Sequence, residues 1–115
     1  MTIIKKYESR DVPDIEFITF FFDMPDYPNW VTAVQIMKDD RLSSGDTLWH
    51  LGVIQVMEQE IDKFAISPET NDPDYETQGW AVTSETFEET IEELYACGFE
   101  DEAEIEEGAR EFFGF

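Results

Sequence analysis

The sequence predicts an α+β fold, in which one domain over residues 1–115 contains a small sheet of three to four strands packed by about three helices, the last two strongly acidic. Three observations support this. The length suits one domain with a single modest core. With 42% apolar and 15% aromatic residues the chain can fold, unlike a disordered acidic tail. Short β-branched and aromatic runs indicate strands, whereas the last third has helical periodicity.

The first strands are indicated by short runs bounded by prolines. Residues 2–7 predict a strand, and Pro13 predicts a break over residues 9–14. The dense run 16–22 predicts a central strand buried on both faces. Residues 30–37 are ambiguous: Asn29 would cap a helix, but alternation and β-branching favour a strand.

The middle of the chain predicts one helix and one further strand. Apolar residues at helical spacing over residues 46–65 predict an amphipathic helix with Gly52 as its weak point, although the first half is also compatible with a strand. A proline-containing loop over residues 67–74 follows. Residues 78–82 then predict a short strand.

Two helices are predicted at the end. Ser84 is the expected N-cap of the first, which places Phe87, Ile91, Leu94 and Tyr95 inward and ends at Gly98. Asp101 and Glu104 form a capping-box-like start to the second. The predicted apolar face of the second helix comprises Ile105, Ala109, Phe112 and Phe113.

The charge is the main functional signal. The net charge is −21, from 28 acidic and seven basic residues, far beyond the magnitude of about 2–8 typical of a small domain. Sixteen carboxylates lie between Glu69 and Glu111, against Arg110 as the one base. Nucleic acid and anionic membranes are polyanions, so both are poor partners. We therefore expect a basic protein partner.

The first acidic helix has two different faces. At 100° per residue, its five glutamates form one outer face opposite the apolar stripe. Over roughly 21 Å this gives one charge per about 4 Å, near the spacing of about 3.4 Å along one DNA strand. Such a run is usually only a solvated face, but here like-charge pairs such as Glu88/Glu92 and Glu89/Glu93 destabilise the helix. A partner could relieve that repulsion.

The tracts 85–93 and 100–107, together with the size and charge, resemble the small acidic inhibitors of phages and mobile elements, the DNA-mimic anti-restriction and anti-CRISPR proteins. The likeness is one of class and includes no family motif. It implies a non-catalytic inhibitor of a host nuclease or of a CRISPR or restriction complex, bound at its nucleic-acid-binding surface. The candidate partner-binding residues are Glu85, Glu88, Glu89, Glu92, Glu93, Glu100, Asp101, Glu102, Glu104, Glu106 and Glu107.

Other chemistry is weakly represented. We expect no enzyme activity, cofactor or metal, because no phosphate-binding glycine loop and no zinc-ligand cluster occurs in the sequence. His50 is expected to be packed or partly exposed, and nothing in the sequence joins it to Cys97. The single cysteine and the absence of an apolar leader at the start of the chain suit the cytoplasm, that of the host cell if the protein is phage-encoded.

Two alternatives remain open. An acidic interaction module, such as a secretion chaperone or an immunity-type protein, would bind one dedicated partner, and the chain could be a monomer or a homodimer. A halophilic or housekeeping acidic domain is the third reading. Ten Phe and only six Ala speak against salt adaptation, which favours smaller core residues.

Overall fold

A five-stranded antiparallel sheet forms one layer of the fold and two α-helices form the other. The structure is a computed structural model that describes residues 2–61 and 78–115. The strands are β1 (Ile3–Val12), β2 (Ile15–Asp23), β3 (Trp30–Asp39), β4 (Leu48–Met57) and β5 (Gln78–Ser84). The helices are α1 (Phe87–Ala96) and α2 (Glu102–Phe113), and a 3₁₀ turn covers Glu58–Glu60.

The predicted α+β class is confirmed, but the element counts differ. The sheet has five strands rather than three to four, and the described residues contain two α-helices rather than about three. The strands lie in the sheet in their sequence order, and each neighbouring pair is antiparallel.

The first strand is longer than predicted. β1 continues to Val12, so the predicted break over residues 9–14 is wrong; the turn needs only Pro13 and Asp14. Asp14 has φ +62°, a left-handed conformation that Asp tolerates better than most residues. A register shift between Ser9 and Val12 absorbs an extra residue. Such irregularities on an edge strand discourage pairing with other chains.

β2 is buried on both faces, as the sequence predicts, but it is the second of the five strands, and β3 is the central one. Phe20 and Phe22 pack into the cluster beneath the helices, whereas Phe17 and Phe21 pack on the opposite side. All four are at most 2% exposed. The ambiguous segment 30–37 is a strand, and β3 extends it to Asp39.

The helix predicted over residues 46–65 is wrong for Leu48–Met57, which form β4. Trp49 and Val53 are four residues apart, a spacing that suits one side of a helix and equally one face of a strand. Trp49 packs toward the helices and Val56 toward the opposite side, as alternation requires. Residues 62–65 of the predicted helix and the predicted loop 67–74 lie outside the described residues. The predicted strand 78–82 is confirmed and extends to Ser84.

Both helices pack on the same side of the sheet. Their buried residues and those of the strands form one cluster: Ile18, Phe20, Phe22, Val34, Ile36, Trp49, Leu51, Phe87, Ile91, Leu94, Ile105, Ala109 and Phe112. α2 approaches β2 closely at Gly108, where an added Cβ would lie 2.9 Å from the Phe20 ring. A side chain at this position would therefore compete with Phe20 for space.

The helix ends partly follow the prediction. Ser84 is the last residue of β5, so the predicted cap is wrong; Thr86 is the N-cap, and its hydroxyl oxygen accepts from the Glu89 N–H at 3.1 Å. α2 does start after Asp101, but the Asp101 side chain makes no capping hydrogen bond. Gly98 has φ +73° after the end of α1, as a helix-terminating glycine should.

Candidate partner-binding surface

The two helices run antiparallel and together form one outward surface. Cys97–Asp101 connect them, and Arg110 near the end of α2 reaches Glu88 at the start of α1. Because both helices pack their apolar sides on the sheet, their polar sides face away from it. We call the polar side of Glu85–Glu111 the acidic surface.

All eleven predicted partner-binding residues lie on this surface or beside it. Eight are exposed and three are half-buried, namely Asp101, Glu102 and Glu106. Glu85 precedes the cap residue Thr86, so it is not part of the helical face on which the sequence placed it. The segment from Glu85 to Phe115 contains twelve carboxylates and one base, Arg110.

Arg110 is ion-paired with two of the predicted residues, Glu88 and Glu106. Its Nη1 and Nη2 donate to the two carboxylate oxygens of Glu88 at 3.1 and 3.0 Å, and its Nε donates to Glu106 Oε2 at 2.7 Å. These hydrogen bonds raise the pKa of the Arg110 guanidinium, and the contact with Glu88 contributes most. The contact to Glu88 is bidentate and joins the two helices. Glu88 and Glu106 are thus less available to a partner than their neighbours.

Tyr95 takes part in the same contact and corrects a further prediction. The sequence placed Tyr95 on the inward stripe, but it is 41% exposed, and its hydroxyl donates to Glu106 Oε1 at 2.6 Å. This hydrogen bond raises the pKa of Tyr95. The pKa of Glu106 is lowered by the same bond and by those from Arg110. We call Glu88, Tyr95, Glu106 and Arg110 the seam.

Carboxylates on both helices lie outside the seam. Glu89 and Glu93 on α1, and Glu104 and Glu107 on α2, are exposed, and none forms an ion pair with a described residue. We call these four residues the outer rows. Glu89 and Glu93 are one turn apart, or about 6 Å at 1.5 Å per residue. On α1 their repulsion is offset by the helix N-terminus, which favours Glu88 and Glu89, and by the Thr86 hydroxyl, which donates to Glu89 Oε1 at 3.2 Å.

The helix connection adds no reactive thiol. Cys97 is half-buried, and burial together with the nearby charges of Glu93 and Glu102 raises its pKa. A raised pKa keeps the thiol protonated and therefore weakly nucleophilic. One carboxylate oxygen of Glu102 is buried without a hydrogen-bond partner among the described residues.

A second charged cluster lies at one end of the sheet, around the buried Asp39. Arg41 donates to both carboxylate oxygens of Asp39 at 3.0 Å, and these bonds lower the pKa of Asp39. His50 on β4 lies with Nε2 3.6 Å from Asp39 Oδ2. Burial lowers the pKa of His50 despite the carboxylate. His50 is half-buried, as the sequence analysis allowed, and this depressed pKa leaves it neutral at pH 7.

Among residues 2–61 and 78–115, no group of three or more His, Cys, Asp or Glu side chains could hold a metal ion. Within the same residues, neither helix has the length and apolarity required to cross a bilayer. In comparisons with protein-family models, curated proteins and solved structures, nothing matches this chain.

Some features of the surface could be found in the sequence and others could not. The four-residue spacing of Glu106 and Arg110 is a visible signal for an ion pair. The contact between Arg110 and Glu88 spans 22 residues and depends on how the helices pair. Helical periodicity alone therefore predicts a free carboxylate at Glu88, whereas the structure pairs it with Arg110.

Proposed function

We propose that this protein is a non-catalytic inhibitor that binds the basic nucleic-acid-binding surface of a nuclease, or of a CRISPR or restriction complex, with carboxylates in the place of DNA phosphates. One observation carries the proposal. The only base of the acidic surface, Arg110, is already paired with Glu88 and Glu106, so no base of this surface is left to pair with the outer rows.

Binding would proceed by electrostatic steering followed by direct contact. A surface of one sign raises the rate at which a partner of opposite sign associates, and the gain falls as salt screens the field. Carboxylates accept bidentate hydrogen bonds from arginine, as phosphates do. The outer rows would therefore occupy the arginines and lysines that otherwise hold nucleic acid.

The test compares two variants of equal net charge. One reverses the outer rows with Glu89→Lys, Glu93→Lys, Glu104→Lys and Glu107→Lys. The other reverses four exposed carboxylates outside the helices with Asp11→Lys, Asp26→Lys, Asp46→Lys and Glu58→Lys. Glu88 and Glu106 are left intact, because reversing them would also break the seam. Circular dichroism and thermal melting verify that both variants fold.

Each protein is immobilised, incubated with a bacterial extract at low salt and eluted with a salt gradient, and the recovered proteins are identified and assayed for nuclease inhibition. We expect the unmodified protein and the control variant to retain nucleic-acid-binding proteins that salt releases. The outer-row variant should lose them. Equal recovery by both variants, or binding that is indifferent to salt, would contradict phosphate imitation. Recovery of one dedicated partner without salt sensitivity would instead favour the interaction-module alternative.

A further inference from the structure

An aromatic cluster lies where the end of α2 meets the start of α1. Phe113 packs edge-on against Trp49 with ring centroids 4.9 Å apart, and Phe115 stacks on Phe87 with centroids 4.6 Å apart and planes 12° apart. The Phe115 N–H donates to the Arg110 carbonyl at 2.8 Å. Phe115 is therefore held in a defined position.

Phe115 is nevertheless 63% exposed, the highest value among the exposed large apolar side chains of the described residues. The Phe87 ring covers one face of the Phe115 ring, since the two are nearly parallel. The Trp49 ring lies to one side, with ring centroids 6.0 Å apart and planes 55° apart. Because Phe115 remains 63% exposed despite these two contacts, we take the face opposite Phe87 as the accessible one. An aromatic ring that is ordered by its neighbours yet open on one face can bind a partner without a further ordering cost.

Two neighbouring rings already show what such a face binds. The Arg10 guanidinium lies 3.9 Å from the centroid of the Phe112 ring, and the Arg110 guanidinium lies 5.2 Å from that of Phe87. Both cations are also ion-paired, Arg10 with Glu16 and Arg110 with Glu88. A guanidinium over a phenylalanine, balanced by a carboxylate, is thus a recurrent contact at this end of the molecule.

From these contacts we propose that the open face of Phe115 binds an arginine side chain of the basic partner. Charge complementarity selects this occupant, because the chain carries −21 and the segment around the cluster has twelve carboxylates to one base. Arginine suits the ring better than lysine, since its planar, weakly hydrated guanidinium stacks on aromatic faces. The proposal rests on the function above and adds to it an aromatic anchor beside the phosphate-like charges.

The experiment uses two peptide amides of equal charge as probes, tetra-arginine and tetra-lysine. Each is titrated at low salt into the protein carrying ¹³C-labelled phenylalanine rings, and NMR gives the dissociation constant and the shifted rings. Phe115→Leu keeps an apolar side chain but removes the aromatic face. Tyr27→Leu is the matched control, because Tyr27 is 61% exposed and lies in the β2–β3 connection, at the opposite end of the β3–β4 pair from Trp49.

We expect the arginine peptide to shift the Phe115 ring signals. Phe115→Leu should raise the dissociation constant of that peptide about two- to fivefold, the size of an exposed cation–π contact. Phe115→Leu should raise the dissociation constant of the lysine peptide less, and Tyr27→Leu should leave the dissociation constants of both peptides unchanged. An unchanged affinity of Phe115→Leu for the arginine peptide would overturn the proposal. An equal loss for both peptides would also overturn it, because general attraction or altered packing would then explain the effect.

The two proposals fail in different ways. If Phe115→Leu has no effect while reversal of the outer rows abolishes salt-sensitive capture, the arginine site is wrong and phosphate imitation stands. If the outer-row variant captures the same proteins as the unmodified chain, phosphate imitation fails whatever Phe115 binds.

Discussion

The two sides of α1 lie in different environments, one buried and one exposed, although their residues are neighbours in sequence. Leu94 is fully buried against the sheet, whereas Glu93 beside it is exposed and has no ion pair with a described residue. The inner side contributes stability through apolar burial, and the outer side contributes charge and repulsion. We therefore expect different substitutions to alter stability and the proposed binding.

The largest effect is expected from the inner side. Leu94→Ala leaves a cavity between helix and sheet and should lower the free energy of unfolding by about 2–5 kcal/mol. Glu93→Ala should change it by less than about 0.5 kcal/mol, because it removes a solvated charge among like charges. Urea denaturation of the two variants measures both values. A comparable loss for Glu93→Ala would show that the outer side also holds the fold together.

A smaller effect is expected at the seam, the one place where charge joins the two helices. Arg110→Gln removes the hydrogen bonds to Glu88 and Glu106. The two carboxylates then repel each other without a cation between them. The substitution should lower the denaturation midpoint at low salt, and the difference should shrink as salt screens the repulsion.

Lys6→Gln is the matched control for the seam. It removes the same charge from an exposed pair on β1, where Lys6 Nζ lies 3.4 Å from Glu8. Isolated surface pairs of this kind contribute little to stability. Equal midpoints for Arg110→Gln and Lys6→Gln would mean that Arg110 acts through net charge alone and not as a link between helices.

The smallest effect is expected in the sheet, at His50. Burial lowers the pKa of His50 in the folded chain. As the pH falls, the imidazole therefore takes up a proton near pH 6.5 in the unfolded chain and only at lower pH in the folded chain. Stability should therefore fall as the pH drops from above this value, and the fall ends below the folded pKa. His50→Gln should make the decline between pH 7.5 and 5.5 shallower, as measured by urea denaturation. Parallel curves would show that His50 titrates alike in both states.

The sequence predicted the parts of the fold that depend on short-range patterns. The doubly buried β2, the two C-terminal helices and the exposure of Glu88, Glu89, Glu92 and Glu93 follow from burial runs and from periodicity. The cap was misplaced although Thr86 and Glu89 have the capping-box spacing. Ser84 and Thr86 are both residue types that cap helices, and the extension of β5 to Ser84 places the cap at Thr86.

The remaining features depend on contacts that sequence spacing does not reveal. Residues 48–57 match a helix and a strand at four-residue intervals, and pairing with β3 and β5 decides between them. The approach of His50 to Asp39 depends on strand register. The seam depends on the antiparallel pairing of α1 and α2. In each case tertiary structure resolves what local pattern leaves open.

The order of the strands has a consequence for how the chain folds. Each strand pairs with its neighbour in sequence, and β1, β2, β3 and β4 are joined by connections of two to eight residues. Closing short loops is entropically cheap, and local contacts favour rapid folding. We therefore expect this hairpin array to form early and the acidic helices to dock on it afterwards. Repulsion among their carboxylates would then act mainly on the unfolding rate, so that added salt slows unfolding more than it speeds folding.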